Sequence, residues 1–346
     1  MAHTPEPPSW IPVIAALVAA FATILGIIVN AILTLKNRKI QRDLEEFKTE
    51  MQAVSASRNA LLSYQYDARK RLYAECEPLF FQLSESSREA LSAIARLCRP
   101  NIWEKFQPSL QNTESGNKAW MINKSSDLIY TMYSLYRPVV IYCLLRDKMT
   151  NVDYSLDSSV SFRYDLARIL FTSLYDDEDI AKIEPLLPYS PIVNDWRTKR
   201  LENPSMYWWQ GVTRGRLDRT LQMLTVADKN GKLPINFGEF EDLYIHTFDK
   251  GSRENQKTLG VAANALYGFT PASRPVFWRI LMIHAFVHSA LSRPVPTDIH
   301  KIRASNERMR LLLKLENQEI LAMGSGSTFE NVQSIALNYL VSCLGK

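Results

Sequence analysis

A pair of histidines, His284 and His288, lies in the apolar stretch from 274 to 292 and is the sharpest candidate for chemistry. Their i, i+4 spacing places two imidazoles on one face of a helix, which is the geometry that a metal ion needs from its first two ligands. The residues between them are apolar, so the H-E-x-x-H pattern that supplies a general base is absent. His246 and His300 are the histidines that could complete a site. Two packed or hydrogen-bonded histidines of a mostly apolar helix would give the same pattern.

Two charged clusters are further candidates. The acidic run from Asp176 to Asp179 could bind a divalent cation through carboxylate oxygens. Acidic residues at this place also favour a helix N-terminus, because they oppose the macrodipole. The run TRGRLDR brings together Arg214, Arg216 and Arg219, which could grip a phosphate group bidentately. It could equally be a solvated helix face with an ion pair between Arg214 and Asp218.

The common signatures of catalysis and nucleic-acid binding are absent from the sequence. It contains no P-loop, no G-x-G-x-x-G run, no G-x-S-x-G elbow and no kinase signature, which disfavours the common nucleotide-dependent and hydrolase classes. The four cysteines form no C-x-x-C pair, so neither a zinc ribbon nor a disulfide framework is suggested. The formal net charge of +5 is spread along the chain. Nucleic acid is therefore not expected as a partner.

The composition predicts an all-α protein. The 346 residues are 46% hydrophobic and 22% charged, which is typical of a globular chain. With 12 glycines and no evenly spaced alternating segments, a sandwich or barrel is disfavoured. Beyond a long N-terminal helix, amphipathic patterns and turn residues predict helices at 118–149, 160–175, 177–187, 205–228, 239–249, 253–268, 273–292, 297–323 and 328–344.

Residues 11–35 form an uninterrupted apolar stretch without a charged residue, in which only Thr23, Asn30 and Thr34 are polar. At about 1.5 Å per residue, such a helix spans the roughly 30 Å hydrocarbon core of a bilayer with room to tilt. A cleaved signal peptide would need a basic n-region and a shorter apolar run. We therefore expect a single transmembrane helix that anchors the chain in the cell membrane.

The charges beside this stretch predict its orientation. Lys36, Arg38, Lys39 and Arg42 follow it directly, whereas the first ten residues contain no Lys or Arg. Because basic flanks stay in the cytoplasm, the N-terminus is expected outside the cell and the rest of the chain inside. Trp10 would lie at the outer interface, where tryptophan is favoured.

A second apolar stretch, from Leu128 to Leu145, is also long enough to cross a membrane. Arg137 and Pro138 lie at its middle, where a charge costs about 2.5 to 3.5 kcal/mol on insertion scales. The stretch is therefore predicted to be a buried helix pair in the cytoplasmic domain, bent at Pro138.

The expected domain organisation follows from these segments and from Pro78, which is expected to end or kink the long helix before it. The chain is divided into a short non-cytoplasmic tail (1–10), a transmembrane helix (11–35), a juxtamembrane coiled-coil-like helix (36–77) and a multi-helix cytoplasmic domain (79–346).

The apolar residues that follow the transmembrane stretch repeat with an alternating four-three spacing, which is typical of a coiled coil. The same register extends back through the membrane and defines a seam of Ala19, Gly26, Asn30, Leu33, Ile40, Leu44, Phe47, Met51, Val54 and Leu61. Small and weakly polar residues hold helices together in lipid, whereas large apolar residues do so in water. The seam predicts a parallel homodimer. The alternative is that residues 40–61 pack on their own domain.

Three functions from different classes are compatible with these features. The first is a non-enzymatic, membrane-tethered scaffold or sensor whose helical domain binds a cytoplasmic protein. The second is a membrane effector, for example of a bacterial stress or anti-phage system, and it rests on the polar Asn30 within the span. The third is a metal-dependent enzyme centred on His284 and His288. No motif indicates a cofactor.

Overall fold

The structure is a computed structural model that describes residues 10–106, 126–150, 153–182, 210–229, 231–271, 274–292 and 329–344. It is 85% helical with few strands, which confirms a mostly helical protein. The predicted helix at 297–323 lies outside the described residues, as does His300.

The described elements follow one another as a helical chain with one small hairpin. In chain order they are α1 (Ile11–Leu97), α2 (Pro100–Trp103), α3 (Ser126–Met149), α4 (Ser158–Thr172), α5 (Asp177–Lys182), α6 (Arg214–Met223), β1 (Thr225–Asp228), β2 (Gly231–Pro234), α7 (Phe237–Lys250), α8 (Arg253–Asn264), α9 (Pro275–Leu291) and α10 (Phe329–Leu344). The chain divides into two compact units, Met1–Asp67 and Ala68–Lys346.

In the N-terminal unit, α1 is helical from Ile11 onward and makes no buried face of its own. Every side chain from 12 to 64 is exposed. The hydroxyls of Thr23 and Thr34 donate to the carbonyls of Ala19 and Asn30, at 2.8 and 2.7 Å. These bonds within one turn satisfy the threonines without a partner from elsewhere.

In the C-terminal unit, α1 continues through Pro78 and ends at Leu97. The sequence predicts an end or a kink at that proline, and the helix does not end there. Proline lacks the N–H that would bond the carbonyl four residues earlier, so the helix loses one hydrogen bond there. Leu72 and Cys76 before the proline and Leu83 after it are fully buried. Packing on both sides of Pro78 therefore holds the helix together.

The centre of the C-terminal unit is α3, which packs against α4, α6, α7 and α8. Its predicted burial is confirmed, but it is one continuous helix with Pro138 inside rather than a helix pair. The second packing centre is α9, which contacts α4, α5 and α10. Edge-to-face and tilted aromatic contacts, such as Tyr133 with Phe237 at 5.4 Å, join α3 to its neighbours.

The predicted helix at 205–228 is wrong at both described ends, since residues 210–213 are not helical, and residues 205–209 lie outside the described residues. In the structure α6 ends at Met223, and β1 and β2 form an antiparallel hairpin in which Thr225 pairs with Pro234. Gly231 has a φ of 131°, a conformation that side chains rarely adopt. The Asn-Gly pair at 230–231 is a strong hairpin signal, and it overrides the helical pattern that precedes it.

Local side-chain bonds fix where the next helices begin. Asn236 and Glu239 form a complete capping box at the start of α7, with bonds of 3.0 and 2.8 Å. Ser252 caps α8 by accepting from the Asn255 N–H. These caps satisfy helix N–H groups that have no partner inside the helix.

Candidate functional site

The apolar segment, residues 11–35, is the first candidate site, and the structure shows it as exposed helix. Its best 18-residue window has a mean hydropathy of 2.6 and is 0% buried. An exposed apolar surface of this length is much larger than the patches that a soluble monomer shows. Its length and composition suffice to cross a membrane.

The residues that flank the apolar segment lie at its two ends. Trp10 is 70% exposed, and Lys36, Arg38, Lys39 and Arg42 are exposed on the following turns of α1. The rise from Trp10 to Lys36 is about 39 Å at 1.5 Å per residue. This separation exceeds the roughly 30 Å thickness of the hydrocarbon core of a bilayer.

The second candidate site is the histidine pair, which α9 places in the core of the C-terminal unit. His284 is 1% exposed and His288 is 0% exposed, and their ring centroids lie 5.6 Å apart. His284 Nε2 lies 3.0 Å from Ser173 Oγ, at the end of α4. His288 Nδ1 lies 3.1 Å from Ser87 Oγ, on α1. The pair thus links α9 to two other helices.

Burial keeps both imidazoles neutral. Desolvation lowers the pKa of His284 to about 4, and the carbonyl of Leu170 opposes that shift only in part. Desolvation, with the neighbouring His284, lowers the pKa of His288 well below its usual value. Neutral imidazole is the form that binds metal, but it is also the form that a dry core tolerates.

The surroundings of the histidine pair offer little room for a ligand. No group of three His, Cys, Asp or Glu side chains that could hold a metal ion occurs among the described residues, and His246 is exposed on α7. His284 lines an apolar cavity of only ≈ 10 Å³ together with Tyr136 and Phe277. A single water molecule needs about 10 to 15 Å³ on this measure. The arrangement is therefore suited to tying helices together.

The acidic run is built into the fold. Asp177 begins α5, and acidic residues occupy the first turn of that helix. Asp176 accepts a 2.9 Å hydrogen bond from the Tyr339 hydroxyl of α10, and Asp177 accepts one of 3.1 Å from the Gly211 N–H. Burial, followed by the Asp176 carboxylate, raises the pKa of Tyr339. These carboxylates fasten α5 to its neighbours.

The arginine run lies on α6, where its members face different partners. The Arg214 guanidinium lies 5.8 Å from the centre of the Tyr175 ring, and Arg219 pairs with Glu254 of α8 at 3.2 Å. Both members of that ion pair are mostly exposed, so it adds little stability. Arg214 and Arg219 therefore contact different parts of the C-terminal unit.

Two structural residues that sequence reasoning missed are Arg279 and Gln210. Arg279 is buried in α9, and its guanidinium donates to the carbonyls of Ile180 and Ala181 near the end of α5, at 3.4 Å each. The Gln210 side chain accepts from two N–H groups at the start of α9. The position of Arg279 among apolar residues, within the stretch from 274 to 292, was the visible signal for the first.

The predicted seam residues are all exposed on α1 in the N-terminal unit. No protein-family model, curated protein or solved structure matches the chain.

Proposed function

We propose that the chain is a single-pass cell-membrane protein, anchored by residues 11–35, whose C-terminal unit is a cytoplasmic interaction or sensor domain. The observation that carries the proposal is the complete exposure of an apolar helix. Each Leu, Ile, Phe or Val favours membrane insertion by about 0.3 to 0.6 kcal/mol at the centre of a span. No described segment of the N-terminal unit covers these side chains, so lipid is the surrounding that fits them.

The orientation follows from the basic residues at 36, 38, 39 and 42, which belong on the cytoplasmic side. A tag at residue 2 should be labelled from outside intact cells, and a tag at residue 346 should not. Changing the four basic residues to Gln and adding Lys residues before Trp10 should weaken or invert this pattern. Labelling of the C-terminal tag from outside in the unmodified chain would contradict the proposal.

We infer an interaction role rather than a catalytic one for the C-terminal unit because its polar candidates make structural contacts. The histidine pair is hydrogen-bonded to serines, and the acidic run holds α5 to its neighbours. A pull-down from gently solubilised membranes, with the chain lacking residues 126–344 as the control, should recover a cytoplasmic protein. Recovery of the same proteins by the control would contradict a partner specific to this unit.

A membrane effector is the second candidate, supported by one observation in the apolar segment. The side-chain amide of Asn30 makes no hydrogen bond among the described residues, although the neighbouring threonine hydroxyls do. An effector should be toxic on overexpression, and deletion of residues 11–35 should abolish the toxicity. Asn30→Ala, which keeps the anchor, is the matched variant. Toxicity that survives the deletion would exclude this mechanism.

A further inference from the structure

We propose that residues 40–61 of α1 bind the same residues of a second copy of this chain as a parallel two-stranded coiled coil, with the two Asn30 amides paired in the membrane. The inference rests on the membrane insertion of residues 11–35 proposed above.

The first support is the apolar row on the water-soluble part of α1. Its members are all at least half exposed and follow the four-three spacing: Ile40, Leu44, Phe47, Met51, Val54 and Leu61. A lone helix gains nothing from such a row in water, whereas a second helix with the same row buries it. Arg58 interrupts the row before Leu61, as single polar residues do in natural coiled coils.

The charges beside the row identify the occupant as a second, parallel copy. In a parallel coiled coil, the residue directly before Leu44, and before its equivalent Met51 one heptad later, faces the residue five positions further along the other helix. Asp43 of one copy then faces the partner's Lys48, and the symmetric pair forms on the opposite side. In an antiparallel pair the acidic flank with Asp43 and Glu50 would face itself. The charge pattern is therefore complementary to itself in one direction only.

Asn30 extends the same register into the membrane. It lies 14 residues, or two complete heptads, before Leu44 and therefore occupies the equivalent seam position. Thr23 and Thr34 bond within their own helix, but the Asn30 amide has no partner among the described residues. An unpaired amide is costly in hydrocarbon, and a second copy brings a matching donor and acceptor to the same depth. A single asparagine at such a position also fixes register and strand number.

Disulfide crosslinking of the full chain in its membranes tests the interface. Cysteine placed singly at 40, 47 and 54 lies on the seam, and cysteine at 42, 49 and 56 lies two residues further round the helix, on the outer face. We expect about ten-fold more dimer from the first set than from the second. The unmodified chain, with its four free cysteines, is the blank. Equal yields from both sets, or crosslinks from the seam to a different protein, would overturn the proposal.

A charge swap tests the direction of the pair, with Phe47→Cys as the reporter. Lys48→Glu should lower dimer yield by about three-fold or more, because acidic residues then face each other on both sides. Asp43→Lys combined with Lys48→Glu should restore it. Failure of the double variant to recover, while it stays in the membrane, would overturn the parallel register.

Asn30→Val tests the membrane part, with cysteine at residue 33 as the reporter. Valine keeps the segment apolar, so the chain should resist alkaline carbonate extraction as before, while the dimer yield falls by about three-fold. An unchanged yield would overturn the pairing of Asn30. Carbonate extraction of every sample separates the two proposals: release of the unmodified chain refutes the anchor, whereas retention with equal crosslinking at all sites refutes only the dimer.

Discussion

Two stretches in the described part of this chain are long and apolar enough to cross a membrane, and their surroundings are opposite. The best window near the N-terminus has a mean hydropathy of 2.6 and is 0% buried, whereas that of α3 has a mean hydropathy of 1.3 and is 83% buried. The helix with the greater need for apolar surroundings thus receives none from the described part of its own chain. The less apolar helix is surrounded by α4, α6, α7 and α8.

This contrast teaches that hydropathy alone does not assign a helix to lipid. Other side chains of the protein contact the charge at the middle of α3. Arg137 Nη1 lies 3.1 Å from Glu89 Oε2, and its guanidinium lies 5.5 Å from the centre of the Tyr133 ring. Among the described residues, the hydroxyls of Thr23 and Thr34 bond only within their own helix, and the Asn30 amide makes no hydrogen bond. Substitutions at matched positions in the two helices should therefore have different consequences.

The largest difference is expected from a buried charge. Val139 in α3 is 0% exposed, so Val139→Asp should lower the free energy of unfolding of the C-terminal unit by more than about 4 kcal/mol. Val29→Asp in the apolar segment should leave that free energy within about 0.5 kcal/mol of its original value. It should instead disfavour membrane insertion by about 2.5 to 3.5 kcal/mol.

Denaturant titration of the detergent-solubilised full chain, followed by near-UV circular dichroism, measures the first effect, and carbonate extraction measures the second. If Val29→Asp destabilised the C-terminal unit as much as Val139→Asp does, the separation of the two surroundings would be wrong.

Acid is expected to lower the stability of the C-terminal unit without changing the membrane retention of residues 11–35. The folded-state pKa of His284 is about 4 and that of His288 is also far below 6.5, so below pH 6.5 the unfolded chain binds more protons than the folded one. The free energy of unfolding should then be level above pH 6.5 and fall from there toward pH 4, by about 1.4 kcal/mol per pH unit for each histidine. Residues 11–35 contain no ionisable side chain, so membrane retention should not change.

Denaturant titrations at several pH values check this dependence, with His284→Gln and His288→Gln as the variants. Each variant should reduce the slope, and an unaltered slope in both would assign the acid sensitivity to other groups. Metal analysis of the same samples should show no change. A loss of bound metal in either variant would instead support the metal-site hypothesis.

Replacing one glycine in each region with alanine should give a smaller difference in the stability of the C-terminal unit. A Cβ on Gly211 would clash with the Leu174 carbonyl oxygen and crowd Asp177, so Gly211→Ala should destabilise the C-terminal unit by about 1 to 3 kcal/mol. A Cβ on Gly26 would have nothing within 4 Å. Gly26→Ala should leave unfolding of the C-terminal unit unchanged in thermal melts. Equal destabilisation by both would contradict the exposed state of the apolar segment.

Local patterns made some of the fold predictable. The long N-terminal helix was visible from uninterrupted apolar and then amphipathic sequence, and α9 (Pro275–Leu291) lies within the predicted range 273–292. These elements have strong periodicity and turn residues at their ends. The hairpin after α6 could have been predicted as well, since the Asn-Gly pair at 230–231 is a known turn signal.

The environment of the candidate site could not be predicted in this way. The serines that bond His284 and His288 lie 111 and 201 residues away in the chain. Spacing along one helix reveals which side chains share a face, but not which distant side chains meet that face. For the same reason the sequence could not show that packing on both sides of Pro78 keeps α1 continuous.

The smallest effect is expected from a substitution that makes α3 resemble the apolar segment, residues 11–35. Arg137→Leu removes the charge at the middle of α3 and so increases its tendency to insert, by about 2.5 to 3.5 kcal/mol on insertion scales. The Arg137 and Glu89 side chains are 25% and 43% exposed, so their ion pair should contribute about 1 kcal/mol or less to stability. A cycle with Glu89→Gln, measured by thermal unfolding, should give a coupling of that size.

Packing determines whether α3 of the Arg137→Leu variant stays in the C-terminal unit or inserts into the membrane. Sixteen residues of α3 are buried, and each large apolar side chain contributes roughly 1.5 to 3 kcal/mol through burial. Their sum far exceeds what removal of one charge adds to insertion, so α3 should stay in the C-terminal unit. A spanning α3 would carry the C-terminus across the membrane, and a tag at residue 346 would then be labelled from outside the cell. We expect that tag to stay unlabelled in Arg137→Leu, because α3 is held by its neighbours rather than kept out of lipid by its arginine.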